Sequence, residues 1–257
     1  MMLSDPSDCI IKNGTCSIHV PCHMLQIFSL ELAKLPVDAG LVELYGYIAV
    51  WDDLDPLLNY VVNISRDNPI TLDEGSLIKM AGPKRGICMM DLTLVEYDMR
   101  IKTGKQEKDD IPLIDGVSLV GPAGIWNEPF IFHLPSDFGA VDITLARIMN
   151  AVEATVEVLI SEVQSSFNLS LCCLTSGFKE EIHLFDGAIA ESCGLKRPVV
   201  AVVKDSLIYL KFNLGPKSFS FDQHSCSFKA KTHGHDTQGI KTDLASIMVK
   251  LTWSTFP

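Results

Sequence analysis

Val152, Ala154, Val156 and Val158 fall on one side of an extended chain, while Glu153, Thr155 and Glu157 fall on the other. Successive side chains of a strand point to opposite faces, so this period of two reads as a strand with one apolar and one wet face. The same period recurs along most of the sequence. Residues 25–35 are apolar and partly alternating, and residues 41–51 set Val42, Leu44, Gly46, Ile48 and Val50 on one side. Residues 60–64 are short and β-branched, and residues 87–101 alternate through Met90, Leu92, Leu94, Glu96 and Asp98. Further runs cover residues 167–174, 181–185, 198–203, 206–213, 226–230 and 244–253. Turn chemistry separates them: Asp-Asn-Pro at 67–69, Gly-Pro at 82–83, Asp-Gly at 115–116 and 186–187, and Lys-Asp-Ser at 204–206. Residues 143–154 compete as a helix with Arg147 and Asn150 on a polar face, but the alternation that follows favours strand. Short strands at this spacing predict an all-β fold, an antiparallel β-sandwich.

Composition narrows the function classes. The 257-residue chain is 47% hydrophobic and 21% charged, enough apolar content for a core without disulfides or metal and too much for intrinsic disorder. Its length fits one or two domains. With 21 Lys and Arg against 32 Asp and Glu the net charge is −11, and no basic run offsets it. A chain of that charge repels a phosphate backbone, so no nucleic-acid partner is expected. Residues 1–8 contain neither a basic nor an apolar signal region, and no run approaches the roughly 18 apolar residues of a membrane helix. The expectation is therefore a cytoplasmic protein without a membrane partner. In that setting the sequons at Asn13, Asn63 and Asn168 are chance matches, and the eight cysteines are reduced structural thiols.

Self-comparison adds a further constraint. Gly82-Pro83-Lys84-Arg85-Gly86-Ile87 is echoed by Gly194-Leu195-Lys196-Arg197-Pro198-Val199, 194 − 82 = 112 residues on. Tyr97 and Tyr209 share that offset, and Leu32-Ala33-Lys34-Leu35 resembles Leu145-Ala146-Arg147-Ile148 at 145 − 32 = 113. The echo points to two similar sandwich halves produced by an internal duplication. Residues 1–23 read as a loosely ordered tail, and residues 24–257 as one module with halves at 24–136 and 137–257.

Chemistry-bearing constellations are few. The nearest approach to a metal site is Asp52, Asp53 and Asp55 at a strand end, where hard carboxylates on one loop could collect calcium. Asp side chains also cap turns without any ion. His233 and His235 would share a face if extended, but no third ligand accompanies them. Cys16-x2-His19-x2-Cys22-His23 has ligand-like residue types, yet a second pair at linker distance is missing. No Gly-x-Ser-x-Gly elbow, phosphate loop or His-Glu-x-x-His occurs, and Pro83 removes an amide that a phosphate nest would use. The reading assigns no catalytic residue, no metal and no cofactor.

A resemblance emerges from several ordered segments. These are Leu25-Gln26-Ile27-Phe28-Ser29, Tyr45-Gly46-Tyr47-Ile48-Ala49-Val50-Trp51-Asp52, Asn59-Tyr60, Arg66-Asp67-Asn68, Thr71-Leu72, Ser76-Leu77 and Gly82-Pro83-x-Arg85. They continue with Ala151-Val152-Glu153-Ala154-Thr155-Val156, Arg197-Pro198-Val199-Val200-Ala201-Val202 and Val249-Lys250-Leu251-Thr252-Trp253-Ser254. Together they resemble a family of grass proteins of unknown function, whose module also forms the C-terminal part of jasmonate-induced ribosome-inactivating proteins. The resemblance implies a stress or defence context. Ribosome-inactivating domains carry Glu-Ala-x-Arg, whereas Glu153-Ala154 is followed here by Thr155-Val156, so it implies no N-glycosidase activity in this chain. The expected function is a non-enzymatic module that binds a protein partner. Translation inhibition alongside a glycosidase domain and calcium-dependent ligand binding are the alternatives.

Overall fold

The computed structural model describes residues 9–12, 15–36, 40–215 and 222–256. Residues 1–8 of the expected tail and the sequon at Asn13 lie outside them. Among the described residues every regular element except a 3-10 turn at Glu107–Asp109 is a strand. A short antiparallel pair, β1 (Ile11–Lys12) and β2 (Thr15–Cys16), precedes β3 (Cys22–Lys34), β4 (Val42–Asp52), β5 (Asp55–Ile64) and β6 (Ile70–Leu72). Next come β7 (Ile87–Cys88), β8 (Thr93–Ile101), β9 (Ile111–Val120), β10 (Pro129–Pro135) and the 22-residue β11 (Ala140–Ser161). The chain continues through β12 (Phe167–Thr175), β13 (Ile182–Ile189), β14 (Cys193–Gly194), β15 (Val199–Val203) and β16 (Leu207–Gly215). It ends with β17 (Asp222–Lys229), β18 (Gly234–Lys241) and β19 (Ser246–Ser254). The fold is an all-β antiparallel sandwich, as the alternation requires.

Two compact units divide the chain. One is Leu25–Arg147; the other is Ile148–Pro257 together with Met1–Met24. In the first, one sheet runs β5-β4-β8-β9 with β6 added to β4, and the remaining strands run β10-β11-β3-β7. Leu44, Ile48, Val61, Met99 and Leu113 from the first set pack with Leu25, Leu30, Ile87, Leu134 and Ile143 from the second in one core. In the other unit the orders are β13-β12-β16-β17 and β18-β19-β11-β15. Each strand of the first unit's orders has its counterpart eight strands later, β5 with β13, β9 with β17, β3 with β11. Two of the sequence echoes land on matching strands, Ile87 in β7 with Val199 in β15 and Tyr97 in β8 with Tyr209 in β16; the third does not, since Leu145 lies in the part of β11 that pairs with β10 inside the same unit as Leu32. Strand order and sequence thus point independently to duplication.

The division falls inside a strand, between Arg147 and Ile148, and not near residue 136. β11 takes part in both orders. Residues 140–146 pair with β10, and residues 151–161 pair with β14, β15 and β19. Asn150 sits between the two stretches at φ 51°, a conformation Asn tolerates better than most residues. Glu153, expected on the wet face, is fully buried and accepts a 3.2 Å hydrogen bond from the Ser254 hydroxyl.

Two other sequence expectations change. Both Asp-Gly pairs lie within strands, in β9 and β13. The Tyr97 ring approaches Gly116 and the Phe185 ring approaches Gly187, and these aromatic neighbours fill the space a glycine leaves on a sheet. The run at 87–101 is broken at residues 89–92, so that Met90 and Leu92 are exposed between β7 and β8.

In the first unit, Gly46 and Asp110 hold critical contacts. Gly46 has φ +120°, and a Cβ there would lie 2.1 Å from the Asp98 carbonyl oxygen across the β4–β8 ladder. Asp110 receives the Arg66 guanidinium (2.6 Å), the Tyr45 hydroxyl (2.8 Å) and the Thr103 and Gly104 amides (3.0 and 3.2 Å). Arg66 first, then the two amides and Tyr45, hold its carboxyl well below the usual carboxylate range, against the opposing effect of burial. Burial, reinforced by Asp110, pushes the Tyr45 hydroxyl up to about 12.

Two outcomes follow. Gly46→Ala is expected to cost about 2–3 kcal/mol in urea unfolding, and an unchanged midpoint contradicts the stated contact. Because the folded carboxyl of Asp110 lies below its unfolded value, its contribution is complete above about pH 4 and is lost as pH falls below that. Asp110→Asn is therefore expected to be less stable than the native chain near neutrality, with the gap closing as the medium is acidified. A gap that stays constant with pH counts against it.

Candidate functional site

The carboxylates at 52, 53 and 55 do not converge. β4 and β5 form a hairpin in which Asp52 faces Asp55 in register, while Asp53 points to solvent. Asp52 is bound by both ends of the Arg85 guanidinium, at 2.7 and 2.9 Å, and accepts the Cys88 amide at 2.7 Å and the Leu54 amide at 3.2 Å. Asp55 caps the Leu57 amide at 2.9 Å. Arg85 thus takes the position a cation would need on Asp52. The echoed Gly-x-Lys-Arg turn carries this arginine, and Asn59 fixes the turn from both sides through the Arg85 carbonyl (2.9 Å) and the Lys84 amide (2.8 Å).

His233 and His235 also part company. Gly234 lies between them at φ +90°, so the segment is not extended as a shared ligand face requires. His235 is exposed on β18 opposite Thr252. His233 turns instead toward the N-terminal segment. Its ring stacks on buried His19, with centroids 4.7 Å apart and planes 16° from parallel, and its Nδ1 meets the Thr232 hydroxyl at 3.0 Å. Nδ1 of His19 meets the Thr255 hydroxyl at 3.3 Å. One ligand atom each from Cys9, Cys16 and His233 lie within 4.8 Å of one another. Burial disfavours charge on the Cys16 thiol, but a hydrogen bond from Cys9 and backbone amides at Ile18, His19 and Ile10 bring it below its ordinary value. Cys9, bonded to Cys16, is pushed up to about 11. Burial and then His19 lower the His233 imidazole below its ordinary value.

A cleft of 480 Å³ opens beside this group, lined by Cys16, His19, Lys204, Lys229, Lys231 and Thr232 among others. Its lysines face carboxylates: Lys204 and Lys229 each approach Asp205 at 3.8 Å, and Lys231 meets Asp236 at 2.6 Å. Asp236 also accepts the indole N–H of buried Trp253 at 2.8 Å, tying the cleft rim to the core.

A third arrangement was invisible in the linear sequence. Strand pairing sets Cys172 directly opposite His183, Sγ to Nδ1 3.3 Å, with Glu181 in the same group. Glu181 is engaged by Lys211 at 2.6 Å. Burial pushes the Cys172 thiol up, contrary to what an activated nucleophile needs.

The outer face of the β4–β8–β9 sheet carries the remaining feature. Register aligns Trp51, Leu94 and Leu119 in one row across the three strands. Val117 lies two residues from Leu119 on the same face, and Val117 and Leu119 are 61% and 58% exposed. Tyr47 adjoins this row, donating to Glu96 at 2.6 Å and meeting the Tyr60 ring edge-on at 5.8 Å. β9 ends the strand order of its sheet and, among the described residues, pairs with β8 alone.

Removing Arg85 leaves the Asp52 carboxylate, with a side chain only 2% exposed, without its countercharge. Arg85→Ala is expected to destabilise the protein by about 3 kcal/mol or more, and Asp52→Asn combined with it by much less than the sum of the single changes. Additive losses in a double-mutant cycle contradict this pairing.

Comparison with known proteins places the chain by sequence. No curated protein matches it. Among solved structures, a human GIVD cytosolic phospholipase A2 in complex with methyl gamma-linolenyl fluorophosphonate aligns over 93% of this chain and 33% of its own, at 9% identity and a TM-score of 0.28. The chain thus spans about a third of the phospholipase's length. The paired C2 domains of extended-synaptotagmin 2, calcium bound, align over 93% of this chain and 98% of theirs, at 10% identity and a TM-score of 0.30. At such scores these likenesses bear on no argument about function. The family described as a domain of unknown function (DUF6598) matches residues 24–251, and the chain belongs to that family.

Proposed function

We propose that this chain is a non-enzymatic binding module that holds a protein partner through the outer face of the β4–β8–β9 sheet, in the cytoplasm of a plant cell responding to stress or attack. The observation that carries the reading is the aligned row of Trp51, Leu94 and Leu119 with Val117 beside it, next to a sheet edge that no described strand covers. Apolar side chains grouped on an exposed face are characteristic of interaction surfaces, and aromatic residues are enriched in their centres. An edge strand adds backbone donors and acceptors that an extended segment can pair with. The plant and defence context rests on the sequence resemblance. A non-enzymatic role is supported by the raised Cys172 thiol and by the engagement of Asp52 and Asp110 in internal ion pairs. The net charge of −11 favours a protein partner over RNA.

The test replaces Val117→Lys and Leu119→Lys together. Both side chains point outward, so the melting temperature is expected to stay near that of the native chain. Protein captured on the immobilised native chain from jasmonate-treated grass leaf extract is expected to bind the double variant at least about tenfold more weakly. Equal capture by both chains, or no specific capture by the native one, overturns the proposal.

A further inference from the structure

The Cys9, Cys16 and His233 group has a geometry that the outer sheet face does not explain. Three chain segments converge on it: the segment before β1, the end of β2, and the turn before β18. Cys16 and His233 are 233 − 16 = 217 positions apart, yet each of the three offers a ligand atom within 4.8 Å of the other two. We propose that Cys9, Cys16 and His233 form a binding site for a divalent cation of the zinc class, with three protein ligands and a fourth position on the side of the cleft that Cys16 lines.

The donor set selects the cation. Two thiolates and an imidazole suit zinc and its borderline-soft neighbours, whereas calcium and magnesium require oxygen. A separation of less than 4.8 Å between ligand atoms leaves only a small inward movement to a tetrahedral site, whose zinc–sulfur bonds are about 2.3 Å. The surroundings already hold the ligands. The Ser17 amide bonds the Ile10 carbonyl at 2.9 Å, keeping Cys9 and Cys16 adjacent. The Thr232 hydroxyl and the stacked His19 ring fix the His233 imidazole, the kind of outer support that orients metal ligands. Binding would release the thiol protons to solvent and leave two thiolates to neutralise a dication. The consequence is structural and local: the cation clamps the N-terminal segment to the turn at 231–234 and closes one wall of the cleft. The site lies in a different unit from the outer sheet face, so its failure leaves the binding reading standing.

The test is a cobalt titration of the reduced, full-length chain. Equimolar uptake is expected, with thiolate-to-cobalt charge-transfer absorption and the intense visible bands of tetrahedral coordination, all displaced by zinc. Cys16→Ser and His233→Ala are each expected to lose these bands. Cys172→Ser, which removes the rival Cys172–Glu181–His183 group, is expected to keep them. A second readout needs no variant. Zinc is expected to shield Cys9 and Cys16 of the native chain from alkylation while Cys193 stays reactive, and a chelator is expected to reverse the protection. Absence of the bands, their survival in His233→Ala, their loss in Cys172→Ser, or a Cys9–Cys16 disulfide with no metal uptake after reduction overturns the proposal.

Discussion

Strand pairing along β11 is the constraint that strands of each unit depend on. Its early residues carry β10 and its later residues carry β14, β15 and β19, so strands of either unit reach their place by pairing with it. A strand flanked on both edges must satisfy every polar group internally. Val152, Ala154 and Val156 are fully buried along β11, and Glu153, equally buried, accepts a hydrogen bond from the Ser254 hydroxyl. The one residue in left-handed conformation along the strand, Asn150, falls where the pairing changes from β10 to β15.

Duplication of one strand order leaves function to the places where the copies differ. The echoed arginines make the point. Arg85 clamps Asp52 at the end of β4, whereas its counterpart Arg197 bonds Glu157 within β11 at 2.8 Å, where Lys250 adds a second contact at 3.1 Å. The first unit has the long outward row on β4, β8 and β9. The second has the N-terminal cysteines and His233 beside a cleft. A common scaffold with divergent additions is how one fold comes to hold unrelated sites.

Charge is distributed in a way that the net value conceals. The carboxylates best placed to attract a cation are committed to arginine or lysine: Asp52 to Arg85, Asp110 to Arg66, Glu157 to Arg197 and Lys250, Glu181 to Lys211. For the buried Asp52 and Asp110, a carboxylate left without its arginine would be desolvated and uncompensated, which keeps these two pairs together. Among the described residues, the candidate group that converges without a carboxylate is Cys9, Cys16 and His233.

Alternation and turn chemistry were enough to determine an all-β chain, because the period of a strand is a local property, and the 112-residue echo raised the expectation of two related halves that the repeated strand order agrees with. Local rules failed where the partner strand decided the outcome. Gly116 and Gly187 lie in strands with aromatic rings packed over them, and Glu153 is buried with the Ser254 hydroxyl from the neighbouring β19 as its partner. The candidate sites were legible only in fragments. Cys16 stood out only in company with His19, Cys22 and His23, and His233 only with His235, while Cys9 did not stand out. Likewise Cys172 meets His183 only through the register of β12 on β13. Proximity between residues distant in sequence comes from strand order and register, and these are set by the packing of the whole chain.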